Sequence, residues 1–294
     1  MENIIECKNL KKKYRGDLVL EDVDLAIGTP SITGVIGRNG AGKTTLLKIL
    51  SGFIKPTSGE VRVFSENPFN SLLVSANSIL IDDGMTFPDS INLKQILDIA
   101  PSFYKKWDSE IANKLFVYFQ LDPKQRHSKL SKGKRAAFNM IFGLSTRCEL
   151  TIFDEPTNGM DEAVRADFYR ALLKDYIAHP RTILISSHHL AEIENILEDI
   201  LLIDKGKIYF HKSVEDLREY AISGTGPIDL VNSWMEDKEV IYSKRENEHY
   251  QTVIVKTSFT EVVPHGITIK PVSVSNLCRY VTEEAKGEID DVFE

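Results

Sequence analysis

Nine consecutive residues carry the clearest chemistry in this chain. They read Gly37-Arg38-Asn39-Gly40-Ala41-Gly42-Lys43-Thr44-Thr45, which fits the phosphate-loop pattern G-x-x-x-x-G-K-[ST] without a mismatch. Glycines let the backbone curl tightly, so that successive N–H groups point inward at phosphate oxygens. A helix start adds partial positive charge at the same place. Lys43 is spaced to reach β- and γ-phosphates, and Thr44 to offer its hydroxyl to Mg²⁺. The plain alternative is a glycine-rich turn with no ligand. The complete set of required residues, with an apolar strand before it and a helix pattern after it, argues against that alternative.

A second group lies far along the chain. Asp154 and Glu155 end the apolar run 150–153. An Asp at a strand end beside a phosphate loop can hold a water on Mg²⁺, and the next carboxylate can polarise the attacking water. A strand followed by an acidic turn looks the same in isolation; its pairing with the phosphate loop decides for function. His188 follows a third apolar run, 182–187. A lone histidine is more often a satisfied surface or core residue, but this one ends a parallel-type strand, where ligands bind in such sheets. Tyr14 follows the first strand pattern. There it either stacks on a nucleobase or covers the sheet edge.

These groups need elements to position them. Residues 31–36 read as the buried strand before the phosphate loop and 46–50 as the helix after it. Further strands are expected at 4–10, 23–27, 60–64 and 78–81, with a basic turn over 11–17. Apolar positions Ile96, Ile99, Ile111, Leu115, Tyr118 and Phe119 recur at helical spacing, which predicts a helical insertion. Its aromatics Phe103, Tyr104 and Trp107 read as core, with a partner-facing role as the alternative. Helices are expected after the segment 130–135, to about 146, and over 161–178. A hairpin is expected at 200–203 and 207–210, and a short helix over 214–220. The stretch 223–227, Ser-Gly-Thr-Gly-Pro, reads as a break. Beyond it, strands at 239–242 and 250–255 and a helix over 274–284 make a small α/β appendage that names no chemistry.

Composition narrows the class. At 294 residues the chain can bury a large core and divide in two. The net charge of −7 gives no reason to expect nucleic acid as a partner. No apolar run approaches the ~20 residues of a membrane span. The start, Met1-Glu2-Asn3-Ile4, has neither the basic end nor the apolar core of a signal peptide. Cys7, Cys148 and Cys278 are scattered and odd in number, as expected for free thiols in a reducing compartment. A cytoplasmic protein is expected.

Four segments together resemble one family. Over roughly its first 220 residues the chain resembles the nucleotide-binding subunit of ABC transporters. Many NTPases share the phosphate loop. The specific mark is Leu130-Ser131-Lys132-Gly133-Lys134, which is similar to the ABC signature Leu-Ser-Gly-Gly-Gln. Asp154-Glu155-Pro156-Thr157-Asn158-Gly159-Met160-Asp161 is similar to the second phosphate-site motif and D-loop. His188 falls at the switch histidine and Tyr14 at the adenine-stacking aromatic.

The resemblance implies a fold: an α/β P-loop NTPase of the ABC-ATPase type. It would have a mixed-sheet core over 1–220, an inserted helical subdomain at about 88–148, and a C-terminal accessory domain over 221–294. It also implies roles. Gly37, Asn39, Gly40, Ala41, Gly42, Lys43, Thr44 and Thr45 would cradle the phosphates of ATP. Thr44, Asp82 and Asp154 would serve Mg²⁺. Glu155 would be the general base, and His188 would contact the γ-phosphate. Ser131 and Gly133 would contact ATP held by a second ATPase subunit, identical or not.

Two departures stand out. Lys132 and Lys134 replace a Gly and the Gln of the signature, while Ser131 and Gly133 are kept. Where the family has its Q-loop glutamine, this chain has Asp82-Asp83, and counting back from Phe87-Pro88 favours Asp82. A carboxylate there adds negative charge beside the phosphates.

The resemblance implies an ATPase that drives a separate integral-membrane permease through ATP-dependent dimerisation, from the inner face of the cell membrane. The Ser-Lys-Gly signature and short appendage are similar to those of bacterial drug and peptide exporters. The competing readings are a soluble ABC ATPase acting on DNA or ribosomes, and a nucleotide-dependent regulator that does not hydrolyse.

Overall fold

The computed structural model describes residues 3–257 and 263–282. The chain forms two compact units, Met1–His211 and Lys212–Glu294.

The first unit opens with a hairpin, β1 (Ile5–Tyr14) and β2 (Asp17–Ile27). The basic turn expected over 11–17 is mostly strand: only Arg15 and Gly16 turn, at φ 48° and 105°. The lysines do not break the strand because each is tied down. Lys11 pairs with Asp22 at 2.8 Å, and Lys12 donates to the Lys55 carbonyl at 2.7 Å. The main-chain N–H of Lys13 donates to Thr57 Oγ1 at 2.9 Å.

The run β3 (Ile32–Ile36) leads through the phosphate loop into α1 (Lys43–Leu50). Next come β4 (Ser58–Val63), α2 (Leu72–Asn77) and β5 (Ser78–Ile81). Strand β4 joins the hairpin in a three-stranded antiparallel sheet ordered β2-β1-β4. The insertion follows as α3 (Leu93–Ile99), α4 (Ser109–Tyr118) and α5 (Lys132–Thr146). The chain then alternates β6 (Leu150–Asp154), α6 (Glu162–Ala178), β7 (Thr182–Ser187), α7 (Leu190–Ile193), β8 (Asp199–Asp204) and β9 (Lys207–Ser213).

Strands β5-β6-β7-β3-β8-β9 form a six-stranded sheet, parallel from β5 to β8. Every residue of β3, β6 and β7 is buried, as continuous apolar strands in a doubly covered sheet must be. The carboxyl ends of β3, β6 and β7 therefore open on one edge, and that edge carries the loop, Asp154-Glu155 and His188.

The insertion has an aromatic core. Tyr104 and Trp107 pack on Phe142 with ring centroids 5.7 and 5.1 Å apart, and Phe87 packs on Phe138 and Phe142. Phe103 is exposed. No helix among the described residues is long and apolar enough to cross a membrane. All three cysteines are buried.

The second unit contains α8 (Val214–Arg218), β10 (Ile222–Pro227), α9 (Ile228–Met235), β11 (Val240–Arg245), β12 (Tyr250–Val255), β13 (Thr268–Pro271) and α10 (Val274–Thr282). Its sheet is antiparallel, ordered β11-β12-β10-β13. The break expected at 223–227 is strand β10, which pairs on both sides. Glycine serves packing there: a Cβ on Gly224 would lie 2.3 Å from the Trp234 ring, so its absence lets the indole of α9 lie against the sheet. Strand β13 and helix α9 carry no signal that the sequence reading caught. The last two residues of the helix expected over 274–284 lie outside the described residues.

Candidate active site

The phosphate loop is held from below and from the side. A Cβ on Gly37 would lie 2.2 Å from the Ile203 carbonyl of β8, so this glycine exists for backbone packing. Gly42 caps α1 at φ 106°, in the left-handed region that favours glycine. A Cβ there would also meet Leu20 and the Val19 carbonyl of β2. The turn between β8 and β9 stitches these parts together: Gly206 N–H donates to the Ala41 carbonyl and Glu21 N–H to the Gly206 carbonyl. The result is a cleft lined by residues 38–45, Val19 and Glu155.

Lys43 is buried, and its ammonium donates to the Gly37 carbonyl at 2.7 Å. It also lies 3.5 Å from Glu155 Oε1, an oxygen that is buried and accepts no hydrogen bond. The ammonium has hydrogens to spare for an anion, and the carboxylate oxygen has a lone pair to spare for a donor such as water.

Asp154 and Glu155 are fixed by the neighbouring strand. Pairing of Asp154 with Ser186 in the β6–β7 register sets their side chains together. Ser186 Oγ donates to Asp154 Oδ1 at 2.5 Å and accepts from the Glu155 N–H at 2.8 Å. Glu155 itself takes φ 48°, uncommon for a non-glycine residue. That twist turns its carboxylate back toward Lys43 on one side and His188 on the other. His188 Nδ1 lies 2.6 Å from Glu155 Oε2, and its ring lies against that of His189, tilted by 46° with centroids 3.9 Å apart.

The remaining expected residues sit at different distances from this centre. Ile81 pairs with Phe153, so Asp82 follows β5 at the level of Asp154. Its carboxylate pairs with Lys48 at 3.5 Å. Tyr14 ends β1, exposed, with the Lys12 ammonium 4.8 Å from its ring centre. It does not line the cleft, whereas Val19 of the same hairpin does. Ser131 caps α5, its Oγ accepting from the Lys134 N–H at 3.4 Å. Gly133 packs on the D-loop: a Cβ there would lie 2.7 Å from the Gly159 carbonyl.

Sequence reading missed Val19, Lys48 and Ser186. The first two had no motif. Ser186 could have been found as the polar residue of a buried strand next to the carboxylates.

Among the described residues no three His, Cys, Asp or Glu side chains converge as a metal group. Thr44 lines the cleft, and Asp154 directly precedes Glu155, which lines it too. Both are hard oxygen donors. Mg²⁺ bound with phosphates needs only one or two protein oxygens, so these residues fit it.

The family model described as ABC transporter matches residues 20–158. The bacitracin transport ATP-binding protein BcrA of Bacillus licheniformis is 32% identical over 71% of this chain and 69% of its own length. The chain belongs to the ABC transporter ATP-binding proteins. The ABC transporter ATP-binding protein YtrB of Bacillus subtilis is 28% identical over 86% of this chain and 87% of its own. Among solved structures, an ATP-binding subunit of an ABC transporter superposes with a TM-score of 0.66 at 23% identity. It covers 73% of this chain and 92% of that one.

The expectation of a mixed-sheet ABC ATPase fold is met by these likenesses and by the sheet itself. As a member, the protein binds and hydrolyses ATP on behalf of a transporter. The alternatives of a soluble DNA or ribosome ATPase, or of a regulator, are not favoured.

Proposed function

We propose that this chain powers export of a small molecule or peptide by a separate integral-membrane permease, working at the inner face of the cell membrane. The observation that carries the ATP-hydrolysing part of this reading is the Lys43–Glu155–His188 arrangement at the phosphate loop. It holds a cation for phosphate, a carboxylate for the attacking water, and a histidine to orient that carboxylate. Transport of a small molecule or peptide is supported by the likeness to a bacitracin transport protein over most of both chains.

In this reading the 37–45 loop wraps the phosphates with its N–H groups, and Lys43 turns from Glu155 to the β- and γ-phosphates. Glu155 then accepts a proton from water, with His188 fixing the carboxylate and reaching the γ-phosphate. Thr44 and Asp154 would hold Mg²⁺, which supplies charge neutralisation at the phosphates. Asp82, the third residue expected at the metal, is paired with Lys48, so the proposed metal set narrows to Thr44 and Asp154. Tyr14 and Val19 would flank the base and ribose. The unit from Lys212 onward is proposed as an accessory domain.

The test is ATP turnover and membrane co-purification. Wild-type protein should hydrolyse ATP, and it should be recovered from membranes with a multi-span protein. Glu155→Gln should slow hydrolysis ~10²–10⁴-fold while keeping that association. Near-native turnover in the variant would place the base elsewhere, and recovery without any membrane partner would remove the permease.

A further inference from the structure

The two departures from the family pattern face each other. Asp82 and Asp83 stand where the family has a neutral glutamine, and Lys132 stands where the signature has glycine. In the structure, Asp82 pairs with Lys48 at 3.5 Å, and Asp83 with Lys132 at 3.9 Å. Lys48 lies one turn beyond Thr44 on the same face of α1. Lys132 is the first residue of α5. The consecutive aspartates thus reach the phosphate-loop helix with one carboxylate and the signature helix with the other.

We infer that Asp82-Asp83 is an electrostatic strap, and that Lys48 and Lys132 are its anchors and act as positioning residues for hydrolysis. Each aspartate meets its own lysine, so the pair of carboxylates is matched by two ammonium groups, and the extra negative charge beside the phosphates is balanced. The inner pair is the more shielded, with side chains 20% and 37% exposed against 63% and 64% for the outer pair. The inner anchor is therefore the firm one, and the outer one yields to salt.

Packing around Gly159 supports the same device. This D-loop glycine has φ 83°, and a Cβ on it would lie 2.8 Å from Lys132 Cδ. The Lys132 stem therefore lies across the D-loop on its way to Asp83. One side chain touches the D-loop and the Q-loop while its backbone starts the signature helix. A segment bound at both ends holds the start of α5 near the nucleotide core before ATP arrives. ATP then has less ordering to do, which lowers KM more than it changes kcat.

This inference rests on the ATPase reading above, and the test separates the two. ATP turnover is measured for wild type, Asp83→Lys, Lys132→Asp and the double swap. Each single reversal should raise KM about fivefold with kcat changed less than about twofold, and the swap should return KM to within about twofold of wild type. A swap no better than the worse single variant overturns the strap. The second readout needs no nucleotide: amide hydrogen exchange in Asp82→Asn should rise both at residues 82–85 and at 131–134. Unchanged exchange at 131–134 overturns the strap even if the protein never hydrolyses ATP. Failure of the wild type to turn over ATP overturns the ATPase reading alone.

Discussion

The Lys43 ammonium sits 3.5 Å from Glu155 Oε1, on the side of the carboxylate that His188 does not use. The phosphate cation and the hydrolytic base offset each other's charge. An incoming γ-phosphate must take Lys43 from Glu155, and this frees the carboxylate to meet water only once phosphate is present.

That competition makes two variants differ. Lys43→Ala deletes a charge-assisted contact that contributes ~1.5–3 kcal/mol, so ATP affinity should fall about ten- to a hundredfold. Glu155→Gln removes the competitor for Lys43, so ATP affinity should equal or exceed that of wild type. Isothermal titration reads both. Weaker binding in Glu155→Gln would mean that the carboxylate does not hold Lys43 back.

Gly224 gives a test in the second unit. A Cβ there would enter the Trp234 ring at 2.3 Å, and the facing strand pairs on either side leave β10 no room to move. Gly224→Ala should destabilise this unit by ~1–3 kcal/mol, and adding Trp234→Leu should return part of the loss. Urea unfolding of the full chain, followed by amide exchange in the second unit, measures this. Equal stability of wild type and Gly224→Ala would show that Trp234 has a second place to lie.

The same glycine shows where sequence reading stops. The phosphate loop, the carboxylates ending β6 and the capping Ser131 are legible because residue type and short spacing set their chemistry. Ser-Gly-Thr-Gly-Pro looks like a turn by the same local criteria. It is a strand because Trp234, ten residues later in the chain, needs a flat surface. The β1 lysines mislead in the same way: their partners Asp22 and Lys55 are distant in sequence. Ser186 and Lys48 escape notice because their meaning comes from the neighbouring strand and loop, not from their own surroundings in the chain.

His127 ties stability of the helical insertion to pH. Its ring is buried against Phe87 and Phe138, and Nε2 shares a 2.7 Å hydrogen bond with Asn139 Oδ1. Burial lowers its pKa, Arg135 adds to this, and the Asn139 bond opposes it. The unfolded chain, with a histidine pKa of about 6.5, therefore binds a proton that the folded chain refuses. Stability should be level above about pH 6.5 and should fall as pH drops from there toward the folded pKa. His211, half-buried and shifted down by desolvation, acts in the same direction. The urea midpoint of wild type should drop between pH 7.5 and 5.5, and His127→Gln should drop less. An equal drop in both would assign the effect to other groups.

The signature helix makes the last prediction. Helix α5 is 15 residues long, and its start exposes Ser131, Lys132 and Lys134. Free N–H groups, the helix dipole and the Lys134 ammonium favour an anion there, while Lys132 is paired with Asp83, yet the phosphate loop of the same chain serves its own ATP. In the family two cassettes trap ATP between them, and this surface would meet the γ-phosphate held by the second copy. ATP would then bind the dimer better than the monomer and shift the equilibrium toward it. Glu155→Gln with Mg-ATP should run as a dimer on size exclusion, because slow hydrolysis keeps the γ-phosphate in place. Gly133 is a poor place to break the contact, since any side chain there would strike the Gly159 carbonyl of its own chain. Lys134→Glu is the better choice: the residue is exposed, its backbone N–H still bonds Ser131, and only the sign of the charge facing phosphate changes. Adding it to Glu155→Gln should return the protein to monomer while ATP titration of the monomer stays near native. A double variant that remains dimeric would remove α5 from the interface. If Glu155→Gln alone stays monomeric at saturating ATP while binding it fully, the second cassette is a different chain, and mixing with that chain should restore the dimer.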